Sequence, residues 1–266
     1  MSSSQKYGGR MKHALAAVLA IGTLTGSAGN ALAEWSASAG AEHMSWREST
    51  TPSVSETGVR GVLGLNWIQN KEAGWLAAYH LKFYTGNVDY DGANLLTGVP
   101  VNGSTHYWGY TNEIQAIYRT PNNPLEFVGG FGWDSWQRHL SPQQDEDYDV
   151  YYLRVGVNVN TRTKRGFFGN AGIKYPIHVN ENANLMEIGF DQNPRLHPKG
   201  EVAGSAELGY RFNANWDLIG YYDGWRFGQS NTAVVTANAS FPGQSINVFQ
   251  PQSKMDIYGV KLQYNF

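Results

Sequence analysis

Trp75-Leu76-Ala77-Ala78-Tyr79-His80-Leu81-Lys82-Phe83-Tyr84-Thr85 is the stretch that decides the fold. Trp75, Ala77, Tyr79, Leu81 and Phe83 make one row, and Leu76, Ala78, His80, Lys82 and Tyr84 make the other. A period of two places each row on one face of an extended chain. One row is wholly apolar and the other carries charge, so the segment predicts a β-strand with unlike faces. It is longer than the usual soluble strand of about 5–6 residues and close to the roughly 9–11 that cross a bilayer at a tilt.

Nine more segments read the same way: 35–46, 58–68, 107–118, 126–136, 148–159, 166–178, 201–211, 217–227 and 254–266. In 148–159 the apolar row is Tyr151, Leu153, Val155, Val157 and Val159, opposite Arg154 and Asn158. In 166–178 Phe167, Ala171, Ile173, Tyr175 and Ile177 oppose Asn170 and Lys174; in 201–211 Val202, Ala206, Leu208 and Tyr210 oppose Ser205, Glu207 and Arg211. The segment 35–46 alternates weakly, and 217–227 is ambiguous on either face. The connections between segments run 11, 6, 21, 7, 11, 6, 22, 5 and 26 residues. Long and short alternate throughout, as in a transmembrane barrel with short periplasmic turns and longer outer loops. Turn chemistry sits in the short ones, such as Gln69-Asn70-Lys71 and Pro121-Asn122-Asn123-Pro124.

Composition agrees. Of 266 residues, 16% are charged, against about 25% in ordinary soluble domains, while 14% are aromatic and 31 are glycine. Mean hydropathy is only -0.43. A membrane barrel explains both facts, because only every second residue of its strands has to be apolar. Backbone pairing in a closed sheet satisfies every N–H and C=O without an edge. The mature segment has no apolar run of the roughly 20 residues a membrane helix needs. Net charge of -2 gives no sign of nucleic-acid binding, and the absence of cysteine excludes disulfides and thiolate chemistry.

The N-terminus reads as an export signal. Lys6, Arg10, Lys12 and His13 precede an apolar stretch, Ala14–Leu24, and small residues end in Ala31-Leu32-Ala33. The expected division is a signal peptide over 1–33 and a barrel over 34–266. At the other end Tyr258, Val260, Leu262, Tyr264 and Phe266 alternate with Gly259, Lys261, Gln263 and Asn265. A last strand of alternating aromatic and apolar residues ending in Phe resembles the assembly signal of bacterial outer-membrane β-barrel proteins. That resemblance is to the class and extends over the mature chain. It implies a place in the outer membrane of a Gram-negative cell, lipid and lipopolysaccharide as surroundings, and recognition of Tyr258–Phe266 by the barrel-assembly machinery. The expected fold is an all-β, antiparallel barrel of ten strands, with eight as the alternative.

Taking the apolar rows as the lipid face puts Arg60, Lys82, Glu113, Asp134, Arg154, Lys174, Glu207, Asp223 and Lys261 in the lumen, with His80 and Gln115. Opposite charges this dense are expected to pair, since an unpaired buried charge is costly. They predict a polar network that fills the lumen; a narrow porin-like channel for small polar solutes is the alternative. Trp35, Trp46, Trp67, Trp75, Tyr84, Tyr107, Trp108, Tyr118, Trp133, Trp216, Trp225 and Tyr264, near strand ends, are expected in the two aromatic girdles of a membrane barrel. A third reading is a hydrolase at the outer rim, either omptin-like, from Asp89, Asp91, Asp191 and His197, or lipid-modifying, from Ser104-Thr105-His106. Neither carries a flanking motif, so no catalytic residue, metal or cofactor is assigned. Asp145-Glu146-Asp147-Tyr148-Asp149 reads as a solvated outer loop, and Thr232–Ala237 with Ser245–Phe249 as a possible hairpin above the membrane. The leading expectation is a structural or surface-interaction barrel.

Overall fold

The structure is a computed structural model that describes residues 33–93, 98–141, 144–238 and 243–266. The expected signal segment, apart from Ala33, lies outside the described residues. The strands are β1 (Ala33–Glu48), β2 (Val54–Gln69), β3 (Gly74–Ala93), β4 (Pro100–Arg119), β5 (Leu125–Ser141), β6 (Gln144–Val159) and β7 (Gly166–Ala183), followed by the short β8 (Arg195–Leu196) and β9 (Lys199–Gly200), then β10 (Ala203–Arg211), β11 (Trp216–Gly228), β12 (Ala233–Thr236), β13 (Ser245–Val248) and β14 (Ser253–Asn265). Strands β1 to β7 pair in sequence order, β7 pairs with β10, β10 with β11 and β11 with β14. Pairing of β14 with β1, Asn265 opposite Ser36 through Ser253 opposite Glu48, closes the ring. Ten antiparallel staves form the wall, not eight, and each of the ten expected segments falls on one of them. No helix among the described residues is long and apolar enough to cross a membrane.

Residue parity sets two faces. The outward residues Leu63, Ile114, Val155, Ile173, Leu208 and Val260 each leave half or more of their surface uncovered. Aromatic rings border this apolar belt. At the end with the short turns, Trp75 packs on Tyr118, Phe167 on Tyr210, and Trp216 on Tyr264. At the loop end an arc runs from Phe83 through Tyr110 and Trp133 to Tyr151, and Tyr222 meets Tyr258 on the far side. Tyr258 to Tyr264 is a step of six residues and Trp75 to Phe83 one of eight, about 20–27 Å of strand.

Two sequence expectations need correction. The segments 86–106 and 137–147 are not loops in the main: β3 runs to Ala93, β4 begins at Pro100, β5 ends at Ser141 and β6 begins at Gln144. The strands continue past the belt as hairpins whose outward row turns polar, through Thr85, Asn87, Asp89 and Asp91 on β3. Polar residues on the outer face erase the apolar alternation that marks a strand, so the extension looks like loop in the sequence. The acidic run 145–149 likewise belongs to β6, with Asp145, Asp147 and Asp149 outward and Glu146 and Tyr148 inward. Its carboxylates therefore diverge to two faces. The expected hairpin exists as β12 paired with β13.

The second correction concerns four girdle candidates. Trp46, Tyr84, Tyr107 and Trp225 are buried, and they point into the barrel. Glycines on neighbouring strands make room for such rings. A Cβ on Gly132 would meet the Tyr152 ring at 2.1 Å, and one on Gly259 would meet the Tyr221 ring at 2.2 Å. Each glycine is the cross-strand partner of that tyrosine, so the ring lies flat across the bare backbone.

Candidate functional site

The lumen has three tiers. The middle tier is an ionic belt. Glu42 on β1 binds Arg60 with one carboxylate oxygen; the other lies 3.4 Å from Lys82 Nζ and accepts the Tyr221 hydroxyl at 2.7 Å. Arg60 also lies over the Tyr84 ring, 4.3 Å from its centroid, and the Tyr84 hydroxyl donates to Asp134 at 2.8 Å. Lys174 pairs with Asp223 at 2.5 Å and sits 3.3 Å from the centroid of the Trp225 ring. Glu113 accepts from Tyr152 at 2.6 Å and from Gln115, with Arg154 at 3.6 Å. From Arg154 the chain of bonds passes through Asn170 to Glu207 and on to Lys261.

All nine lumen residues named from sequence thus occupy this tier, and each has a polar partner there. The residue that sequence reasoning missed is Glu42, which joins two of the cations. It sits in the weakly alternating 35–46, where Ala, Ser and Gly populate both rows. Its parity, shared with Met44 and Trp46, was the available signal.

Towards the turn end lies a cavity of about 540 Å³, lined by Asn66, His80, Asn158, Gln263 and the lower members of the belt. It reaches the mouth, where Arg162 donates to the carbonyls of Glu72 and Asn123. Towards the loop end the lumen is filled by apolar and aromatic side chains. Trp46, Trp136 and Trp225 are its largest members, at 0%, 2% and 1% exposure. Trp136 stacks on Tyr148 with ring centroids 4.8 Å apart and also meets Trp225 and Phe227. This is an interior packed like a soluble core.

An acidic lock caps this plug. Arg138 lies 2.6 Å from Glu146, 3.2 Å from Glu56 and 3.8 Å from Glu48, and its guanidinium covers the Trp46 ring at 5.2 Å. Thr105 and Tyr107 donate to Glu56, and the Trp46 indole donates to Glu48. One cation thus faces several carboxylates. Glu146 lies beyond the girdle, since the outward row of β6 is apolar only up to Tyr151. Burial pushes its carboxyl up to about 7; Arg138 opposes this, and Glu48 and Glu56 add to it. Glu181 beside it is raised by burial and by Glu146.

A carboxyl raised in the folded state holds its proton more tightly there than in the unfolded chain. Stability is therefore greatest below the unfolded value of 4.5 and falls as pH rises from there to about 7. The expected loss between pH 4 and 8 is about 3 kcal/mol from this group, and Glu146→Gln should flatten that slope. Urea midpoints of both proteins across this range check it; parallel slopes would sink the assignment.

Above the lock, Leu185, Phe190, Leu196, Val235, Ala237 and Val248 from the two longest loops form a second small core. The rim residues considered for hydrolysis are not assembled. Asp89 and Asp91 are exposed on the outward face of β3, Asp191 accepts the Thr236 N–H at 2.9 Å, and His197 Nδ1 lies 3.2 Å from the Val179 carbonyl. Thr105 turns inward to Glu56, while His106 turns outward to Asn87 at 2.8 Å.

No family model matches the chain, and no curated protein matches it significantly. Among solved structures it aligns with the outer membrane protease OmpT from Escherichia coli at 10% identity, over 88% of this chain and 96% of that one, with a TM-score of 0.52. It also aligns with the Yersinia pestis attachment invasion locus protein Ail (12% identity, 88% and 99% coverage, TM-score 0.38) and with the Pseudomonas putida toluene transporter TodX (8%, 90% and 90%, 0.40). The likeness to OmpT is one of fold. The chain is an antiparallel transmembrane β-barrel of ten strands.

Proposed function

We propose that this protein is an outer-membrane surface barrel whose lumen does not conduct, and whose working surface is the loop-end platform. The observation that carries this reading is the plug. The apolar packing of Trp46, Trp136 and Trp225 and the Arg138 lock together fill the loop-end half of the lumen. The polar cavity therefore opens towards the turns, which in a barrel of this kind lie in the periplasm. A belt of uncovered apolar residues between two aromatic girdles supports insertion in a bilayer. The small core shared by the long loops holds β12–β13 above the rim as a defined surface, which suits binding to another molecule at the cell exterior. We assign the outward row Tyr258, Val260, Leu262, Tyr264 and Phe266 to recognition by the barrel-assembly machinery, and the segment before Glu34 to export.

In planar bilayers the refolded protein, shown to be folded by its heat-modifiable gel mobility, should give no discrete conductance steps. Reproducible openings at neutral pH would replace this reading with that of a narrow channel.

A further inference from the structure

Outward charge beyond the loop-end girdle is divided by arc. Strands β3 and β6 carry Asp89, Asp91, Asp145, Asp147 and Asp149, whereas β1, β14 and β11 carry Arg47, Lys254 and Arg226 against the single acid Asp256. The three basic residues are register neighbours. Lys254 stands opposite Arg47 on one side and opposite Arg226 on the other. Strand spacing makes this a row about 10 Å long.

Like charges directly opposite on paired strands repel. Arg226 is compensated: it reaches back towards the girdle, bonding Asp256 at 2.6 Å and the Tyr222 hydroxyl at 3.3 Å. Arg47 and Lys254 are both exposed, and neither has an ion-pair partner among the described residues. Asp256 is the one acid beside the row and is shared, bonding Arg226 and acting at longer range on Lys254, so three cations face one carboxylate. Lys254 lies four residues beyond Tyr258, about 13 Å along the strand, on the solvent side of the girdle ring.

We infer that Arg47, Lys254 and Arg226 form a binding site for the phosphate groups of an outer-leaflet phospholipid or glycolipid, bound against the β11–β14–β1 face. The inference rests on the membrane placement proposed above. Bound phosphate would relieve the Arg47–Lys254 repulsion, and the acyl chains would follow the apolar belt beneath, past Tyr258 and Val260. The acidic arc on β3 and β6 would repel the same headgroup, which makes the site one-sided.

The test uses the full protein refolded into phosphatidylcholine vesicles, titrated with bisphosphorylated lipid A while its unfolding temperature is followed by gel mobility. Wild type should melt higher as lipid A is added. Arg47→Gln/Lys254→Gln should need roughly thirtyfold more lipid A for half the shift, each basic side chain being worth about a factor of five near an anionic surface. Lys164→Gln/Arg165→Gln, which removes the same charge at the opposite end, should respond as wild type does. Without lipid A the Arg47→Gln/Lys254→Gln protein should melt no lower than wild type, because the facing cations are gone. The site is refuted if that variant keeps the full lipid A response, if dephosphorylated lipid A acts equally well, or if inorganic phosphate alone reproduces the shift. Failure of the wild type to insert into vesicles would instead overturn the membrane reading itself.

Discussion

Glu42→Ala should destabilise the barrel by about 3–5 kcal/mol, among the largest effects of any single substitution in this chain. Glu42 is buried at 1% exposure and joins Arg60, also at 1%, to Lys82. Its removal leaves Arg60 buried without its ion-pair partner and facing Lys82, which keeps only the more distant Asp223 and Asp134. The Tyr221 hydroxyl loses its acceptor as well. Such losses measure the exposed penalty of the partners rather than the net value of the pair. A triple replacement of Glu42, Arg60 and Lys82 by methionine removes penalty and attraction together, so it should be far milder than Glu42→Ala. Urea unfolding in vesicles, followed by tryptophan fluorescence, separates the cases. A Glu42→Ala protein within about 1 kcal/mol of wild type would show that water reaches the belt and screens its charges.

The wall of this barrel was legible because lipid and lumen impose opposite demands on alternate residues. In 75–85 the row Trp75, Ala77, Phe83 and the row His80, Lys82 differ in kind, so parity alone separates the faces. Where the outside solvent changes, the signal fails. Past Phe83 the outward row becomes Thr85, Asn87, Asp89 and Asp91 while Val88 stays buried inside, which inverts the pattern and disguises eight more residues of strand as loop. The charged belt was legible too, as a set of residues, because few reasons exist to put Arg60 or Lys174 on a membrane strand unless it faces inward. Its pairing was not, since the stagger of the strands decides that Lys174 meets Asp223 rather than Glu207. The plug was misjudged for a different reason. Aromatic residues near strand ends suit both a lipid interface and a packed interior, and Tyr84, two residues from Lys82, already had lumen parity. Its row outweighs its position along the strand.

The plug also gives the sharpest functional contrast. Replacing Trp46, Trp136 and Trp225 together by serine should turn a silent barrel into a conducting one. These three rings separate Lys174, 3.3 Å from the centroid of the Trp225 ring, from Arg138, which covers Trp46 at 5.2 Å. Trp136→Ala alone should cost about 3–5 kcal/mol and leave the barrel silent, because Trp46, Trp225 and Phe227 still fill the section around it. Removing all three rings changes that condition. The space then has polar groups at both ends and hydroxyls along its wall, so water can bridge the 540 Å³ cavity to the exterior. Ions leaving towards the loops would pass Glu48, Glu56 and Glu146, and a ring of carboxylates favours cations. The expected record is therefore discrete, cation-selective steps from a variant whose folding is shown by gel mobility. If that folded variant stays silent, the barrier is the ionic belt around Glu42 and Glu113 or the Arg138 lock and loop core above, and the aromatic plug is a stabilising core between them.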